Sequence, residues 1–267
     1  MAAVDLLALL LGTLALRPYV FGFLLAYLLA AGVDLGWRRA LLFTGWAWAV
    51  AFVAEWSSTR IGIPFGLYHY TGLTRGKELF LANVPFFDPL SFTFLAYVAF
   101  ALARWLLGRS GGLAVVGLSG AMMMLLDMVI DPLAVRGDRW FLGQLFYYPE
   151  GGVYFGVPLS NFLGWATVGW VIVGGYLVIG GGPAPSRPGL GAWLYYAILA
   201  FNLALTVWIG EVLLLGVGLL LHAAAFLALW FLRGVRMAPA LRIAASSAGY
   251  PRATLKGGFG RGAKPSS

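Results

Sequence analysis

Residues 113–132 read LAVVGLSGAMMMLLDMVIDP, and this run decides the fold class. A bilayer core about 30 Å thick takes about 20 residues of helix at a rise of about 1.5 Å each. The run is long enough and stays apolar until Asp127 and Asp131 close it. Working outward, further apolar runs of spanning length lie at 4–33, 40–56, 91–107, 157–179, 190–209 and 212–232. Together they predict an all-α, polytopic membrane helix bundle of about seven transmembrane helices. Eight are possible, because Arg17-Pro18 interrupts the first run: it is either one helix kinked at the proline or a short interfacial helix followed by a span.

The composition agrees. The 267 residues are 61% hydrophobic and 10% charged, where a soluble domain carries about 25% charged residues. Mean hydropathy is +0.86. The absence of cysteine removes disulfides, thiolate nucleophiles, iron–sulfur clusters and Cys-zinc sites. Two histidines, His69 and His222, are too few for a multi-histidine iron centre. His222 lies in an apolar run and reads as a helix–helix hydrogen-bond partner. The start lacks a basic segment before its apolar run and carries Asp5, so no cleaved signal peptide is expected.

The net charge of +8 is unevenly spread. Arg233, Arg236, Arg242, Arg252, Lys256, Arg261 and Lys264 lie in a Gly-, Ser- and Pro-rich stretch without an acidic residue. This predicts a transmembrane catalytic bundle at 1–232 and a basic, disordered cytoplasmic tail at 233–267, close to anionic lipid. No recognition motif accompanies the charge, so nucleic acid is not an expected partner. GGGPAPSRP at 180–188 reads as a linker between spans. With seven spans, the loops holding Arg38, Arg39, Arg104, Arg109 and Arg187 share a side with the tail, which the positive-inside rule makes cytoplasmic. The cytoplasmic membrane is the expected location. Glu55–Pro89 and Asp127–Trp165, the two polar stretches, then meet at the outer face.

A carboxylate beside hydrocarbon is costly, so these stretches read as two halves of one site. Asp127 and Asp131, four apart, lie one turn apart and about 40° around a helix. Like charge and desolvation are expected to keep one of them protonated, a proton donor in an apolar setting. Pro132 biases Asp131 away from helical geometry and makes it an expected cap. The bland alternative pairs Asp127 with Arg136 or Arg139. Glu55 reads as the end of the second span, either facing the aspartates or paired with Arg60. Asn161 and Trp165 share a helix face, and Asn161 either positions a carboxylate or water, or caps the helix. PFGLYHY at 64–70 is a rigid aromatic loop or an interfacial belt.

The run Glu55-Trp56, Gly62–Tyr70 and Val84-Pro85 resembles the first signature of the membrane-bound carotenoid biosynthesis protein family. Asp127, Asp131–Val135, Trp140, Tyr154–Pro158, Asn161-Phe162 and Gly164-Trp165 resemble the second. The resemblance covers about 55–176. It departs from the family pattern at Asp88, where an apolar residue is usual, and at Phe141. The family includes hydratases of acyclic carotenoid ends, of the bisanhydrobacterioruberin, γ-carotene and lycopene 1,2-hydratase type. The resemblance therefore implies a carotenoid 1,2-hydratase of the hydro-lyase class, with a hydrophobic polyene and water as partners, in membrane lipid. It implies no cofactor and no metal. Chemistry then suggests Asp127, Asp131, Glu55 and Asn161 as catalytic, the aspartates as acid and Glu55 with Asn161 as water-positioning base. Trp56, Pro64, Phe65, Tyr68, His69, Tyr70, Trp140, Tyr154 and Trp165 are the candidate substrate-binding residues. Two alternatives stay open: a Mg-dependent membrane prenyltransferase, from the DxxxD spacing, and a non-catalytic carotenoid carrier.

Overall fold

A computed structural model describes residues 6–180 and 187–248, with side chains as far as residue 231. It resolves the choice left open at Arg17-Pro18. Helix α1 (Leu6–Leu16) stops there and α2 (Pro18–Leu35) begins on the proline, whose missing N–H costs nothing at a first helical position. The remaining helices are α3 (Trp37–Ile61), α4 (Phe87–Leu107), α5 (Leu113–Ala134), α6 (Leu159–Ile179), α7 (Gly189–Trp208) and α8 (Val212–Ala248). Among the described residues, seven are long and apolar enough to cross a membrane, and α1 is too short. The fold is thus an all-α polytopic bundle. Of the expected linker, 181–186 lie outside the described residues. Helical backbone continues through α8 to Ala248, and 249–267 of the expected tail also lie outside.

Two boundaries differ from expectation. Glu55 does not end its span, because α3 runs a further turn and more to Ile61. Asp131 is not a cap either. Helix α5 passes through Pro132 to Ala134. So near the helix end the proline removes one hydrogen bond, and the burial of Leu133 and Ala134 holds the last turn in place.

Helix α4 forms the axis of the bundle. Every residue from Phe92 to Arg104 is buried, as fits a helix apolar all round and packed against α2, α3, α5 and α7. Its neighbours approach through small residues, the usual solution where lipid gives no hydrophobic drive for association. On α3 the buried stripe is Ala40, Phe43, Ala47, Ala51 and Ala54. At the α5–α6 crossing, a Cβ built on Gly169 would stand 2.9 Å from the Gly120 Cα.

Up-and-down packing brings the ends of α3 and α5 and the starts of α4 and α6 to one end of the bundle. Two long loops cover that end. Strand β1 (His69–Tyr70) in the α3–α4 loop pairs antiparallel with β4 (Phe146–Tyr147) in the α5–α6 loop, after the small hairpin β2 (Phe80–Leu81) and β3 (Val84–Pro85). The α1–α2 corner binds both loops from below. Arg17 is buried, donates to the Leu142 carbonyl at 2.7 Å and pairs with Glu78 at 3.1 Å. Thr13 Oγ1 accepts the Leu79 N–H at 3.0 Å. At the opposite end, buried Asp34 holds Arg104, the Tyr97 hydroxyl and the Arg187 backbone N–H.

The glycine crossing gives a paired test. A Cβ on Gly120 would overlap the Trp170 ring and the Ala166 carbonyl, whereas one on Gly117, a turn earlier, meets open space. We expect Gly120→Ala to lower the thermal midpoint of the detergent-solubilised protein, at a cost of about 1–3 kcal/mol from overpacking. Gly117→Ala should leave it unchanged or slightly raised.

Candidate active site

Asp127 and Asp131 lie one turn apart on the buried face of α5. Asn161, on the first turn of α6, joins them. Its amide nitrogen donates to Asp127 Oδ2 and to Asp131 Oδ2, each at 2.7 Å. An NH₂ group has two protons, so one carboxamide serves both carboxyls. Among the described residues, Asp127 Oδ1 has no hydrogen-bond partner.

Several alternatives are overturned. Arg136 binds Glu211 at 3.0 Å and Arg139 binds the same carboxylate, so neither partners Asp127. Asn161 does not cap α6, whose N-cap is Pro158 without a side-chain bond. Arg60 donates to the Trp56 carbonyl at 2.9 Å and to Asn83 at 2.8 Å rather than to Glu55. Among the described residues, His222 reaches no neighbouring helix by hydrogen bond; its Nδ1 lies 3.0 Å from the Gly218 carbonyl one turn back on α8.

Glu55 is 2% exposed on the inner side of α3. The Tyr70 hydroxyl donates toward Glu55 Oε2 at 3.0 Å and toward Asp88 Oδ2 at 2.6 Å. Glu55 Oε1 is buried without a hydrogen-bond partner among the described residues. Asp88 sits in the first turn of α4, where the helix dipole favours a carboxylate.

These groups surround two adjoining cavities. The smaller, of about 30 Å³, is the richer in polar groups: Glu55, Asp88, Asp131 and Asn161 line it with Tyr68 and Tyr148, beside the rings of Phe65, Phe92, Phe146 and Trp165. At about 10–15 Å³ for one water, it has room for about two. The larger, of about 90 Å³, is mainly apolar and runs between α2, α4, α5 and α7 past Tyr19, Phe23, Phe94, Ile130, Ile198 and Phe201. Asp88, Asp131, Phe92, Phe146 and Trp165 line both. Phe92 and Trp165 stack with ring centroids 4.1 Å apart and form the apolar part of this shared wall.

The structure thus brings Glu55, Asp127, Asp131 and Asn161 into one neighbourhood, although Asn161 serves the aspartates and not Glu55. Phe65, Tyr68, Trp140 and Trp165 line the cavities, and Tyr70 reaches the cluster by its hydroxyl. Asp127 and Tyr70 belong to the cluster without lining either cavity, and four other candidates also line neither. Trp56 is exposed beneath the Arg60 guanidinium, His69 is exposed edge-on to Tyr147, Pro64 packs its carbonyl toward Gly164, and Tyr154 lies against Phe155 and Phe162. Sequence reasoning missed Tyr148 and Asp88 as site residues. A first-turn acid reads as a helix-end charge, and nothing in the spacing of a loop tyrosine says which way it points.

The loop tyrosines have their hydroxyls held neutral. Burial raises Tyr68, Tyr70 and Tyr148 well above the ordinary tyrosine value. The carboxyls add to the effect: Glu55 and Asp88 beside Tyr68 and Tyr70, Asp131 and Asp127 beside Tyr148. They are therefore donors, not phenolates, at any ordinary pH.

Comparison with known proteins gives the family. Residues 5–232 match the family described as carotenoid biosynthesis protein, and the chain belongs to it. A curated relative, the bisanhydrobacterioruberin hydratase of Haloarcula japonica, is 36% identical over 166 residues. That alignment covers 60% of this chain and 54% of the relative, so the match spans about half of the relative's length. No solved structure matches. Membership gives the chain a role in carotenoid biosynthesis.

Two outcomes follow from the site geometry. A tyrosine whose folded value is raised contributes stability in full below the free-phenol value of 10.0 and loses it as pH rises above that. We expect the thermal midpoint to fall above about pH 10, and to fall less steeply in Tyr148→Phe. Asn161→Leu removes the donor from two buried carboxyls, so we expect a loss of about 1–3 kcal/mol in denaturant or thermal unfolding.

Proposed function

We propose that the chain is a carotenoid hydratase that adds water across the terminal carbon–carbon double bond of an acyclic end group. The observation that carries this reading is the shared wall. Asp131, one of a buried aspartate pair held by one amide, faces both a chamber with room for water and an aromatic, apolar cavity suited to a hydrocarbon end. The relative's hydratase name supports it.

The chemistry sets what each group does. Protonating a trisubstituted alkene at its less substituted carbon leaves a tertiary cation, and the proton comes from the Asp127/Asp131 pair. Asn161 holds the two carboxyls in register throughout. Faces of Trp165 and Trp140 stabilise the cation by roughly 0.5–2 kcal/mol each, and the Asp131 carboxylate left behind contributes more. Water from the polar chamber adds its oxygen to the cation and gives up a proton that ends on Glu55, the base of the site. Alkene and water become a tertiary alcohol with no net transfer of electrons, so no redox cofactor takes part. The bundle lies in the cytoplasmic membrane with its tail inside and the two loops toward the outer face, as the distribution of basic residues suggests.

A prenyltransferase would need cationic side chains to hold a diphosphate, and among the described residues no Lys or Arg lines either cavity. The test is expression in a host that accumulates an acyclic carotene. A pigment heavier by one water is the expected product, and Asp127→Asn and Asp131→Asn should each lower its formation by roughly 100-fold or more. Bound but unaltered pigment would identify a carrier. Turnover that requires Mg²⁺ and a prenyl diphosphate would identify a transferase. Full activity in Asp127→Asn, Asp131→Asn and Glu55→Gln would overturn the assignment of the acids.

A further inference from the structure

We infer that Asp88 is a further catalytic carboxylate: the first acceptor of the proton released by the attacking water, with the Tyr70 hydroxyl passing that proton to Glu55. The inference rests on the hydratase reading and deepens it.

The geometry separates the acidic groups by position. Glu55 lines only the small polar chamber, whereas Asp88 and Asp131 line both that chamber and the apolar cavity. A hydrocarbon end in the larger cavity therefore meets Asp131 and Asp88 before it meets Glu55. Asp131 is held by the Asn161 amide together with Asp127. Asp88 comes from a different helix, the start of α4, so the two acids approach the shared wall from α4 and α5. One is placed to give a proton and the other to take one.

The second observation is the Tyr70 bridge. A phenol has one proton, so it serves one carboxylate at a time. Yet the Tyr70 oxygen is within hydrogen-bond distance of Asp88 Oδ2 at 2.6 Å and Glu55 Oε2 at 3.0 Å. That arrangement is a two-ended relay. When Asp88 takes a proton, it can donate to the Tyr70 oxygen while Tyr70 gives its own proton to Glu55. Beyond Tyr70, the other Glu55 oxygen is buried and has no hydrogen-bond partner among the described residues, and Glu55 lines the water-sized chamber. A role for Asp88 confined to the helix end would explain neither its place on the cavity wall nor its short contact to Tyr70.

The steps balance. A lone pair of water forms the carbon–oxygen bond to the tertiary cation. One O–H bond of the resulting oxonium breaks, and its proton goes to Asp88. Tyr70 transfers a proton on to Glu55 and receives one from Asp88. A chamber water then carries a proton from Glu55 to the Asp131 carboxylate emptied at the start. One alkene and one water have become one alcohol, and every side chain is restored.

The experiment measures single-turnover hydration of an acyclic carotene by the full chain in detergent or lipid, normalised to protein that binds the pigment. We expect Asp88→Asn to hydrate at least about 100-fold more slowly than wild type with pigment binding retained. Asp88→Glu should recover much of that loss. Tyr70→Phe should be slowed by about 10-fold and lose the additional, multi-proton part of the solvent deuterium isotope effect that a relay imposes on wild type, keeping the part due to alkene protonation. Asp88→Asn or Tyr70→Phe hydrating at the wild-type rate overturns the inference. If Asp88→Asn does not accumulate as folded protein, Tyr70→Phe decides alone. A wild-type chain that binds pigment and makes no alcohol brings down the hydratase reading itself, a different result from an active wild type with an indifferent Asp88.

Discussion

Burying a carboxyl group away from bulk water is costly unless something inside the protein takes over the hydrogen bonds that water gave. Glu55, Asp127 and Asp131 are all buried at one end of this bundle, with Asp88 beside them on the cavity wall. The structure meets that cost with few groups: one carboxamide between two aspartates and one phenol between a glutamate and an aspartate. The rest of this end is arranged to keep those few groups in place. Asn161 can reach α5 because α5 and α6 cross at glycines, and Tyr70 can reach α3 and α4 because its strand is tied to the opposite loop.

Polar and apolar volumes meet along a wall of shared residues, and this suits a reaction whose two reactants share no solvent. A polyene end belongs to the membrane and water does not. Phe92, Phe146 and Trp165 give the wall its greasy part, while Asp88 and Asp131 supply its carboxyl groups. Tyr148 lines the polar chamber and also an open recess of about 290 Å³ beside Arg136 on the loop side, so the wet face of the protein comes within one side chain of the acids.

The number and type of helices were legible in the sequence, since crossing a bilayer imposes a length and an apolarity that no other fold class needs. The spacing of Asp127 and Asp131 was legible too, because four residues make one turn whatever surrounds it. What the residues bind was not. Arg136 and Arg139 lie close to the aspartates in sequence, yet Glu211, some 70 residues on, takes them both. Trp56 follows Glu55 directly and faces away from it, as adjacent residues on a helix do. Asp88 carried two true readings at once, a favourable charge at a helix start and a wall residue of a cavity, and only packing reveals the second. Pro132 looked like a stop signal and lies inside the last turn, because buried neighbours outweigh a local preference.

The corner at Arg17 bears on how the protein comes to be assembled. Its guanidinium rests on a carbonyl 125 positions downstream, at Leu142, and on Glu78. During synthesis the first two helices emerge long before either partner exists. A cation made first must wait near the lipid headgroups, where water and phosphate solvate it, until five spans have been laid down and both loops can settle. The roof over the acids is therefore closed late, by a residue inserted early, and a nascent chain halted after its fourth span would have four of its seven spans and an open end over the acids.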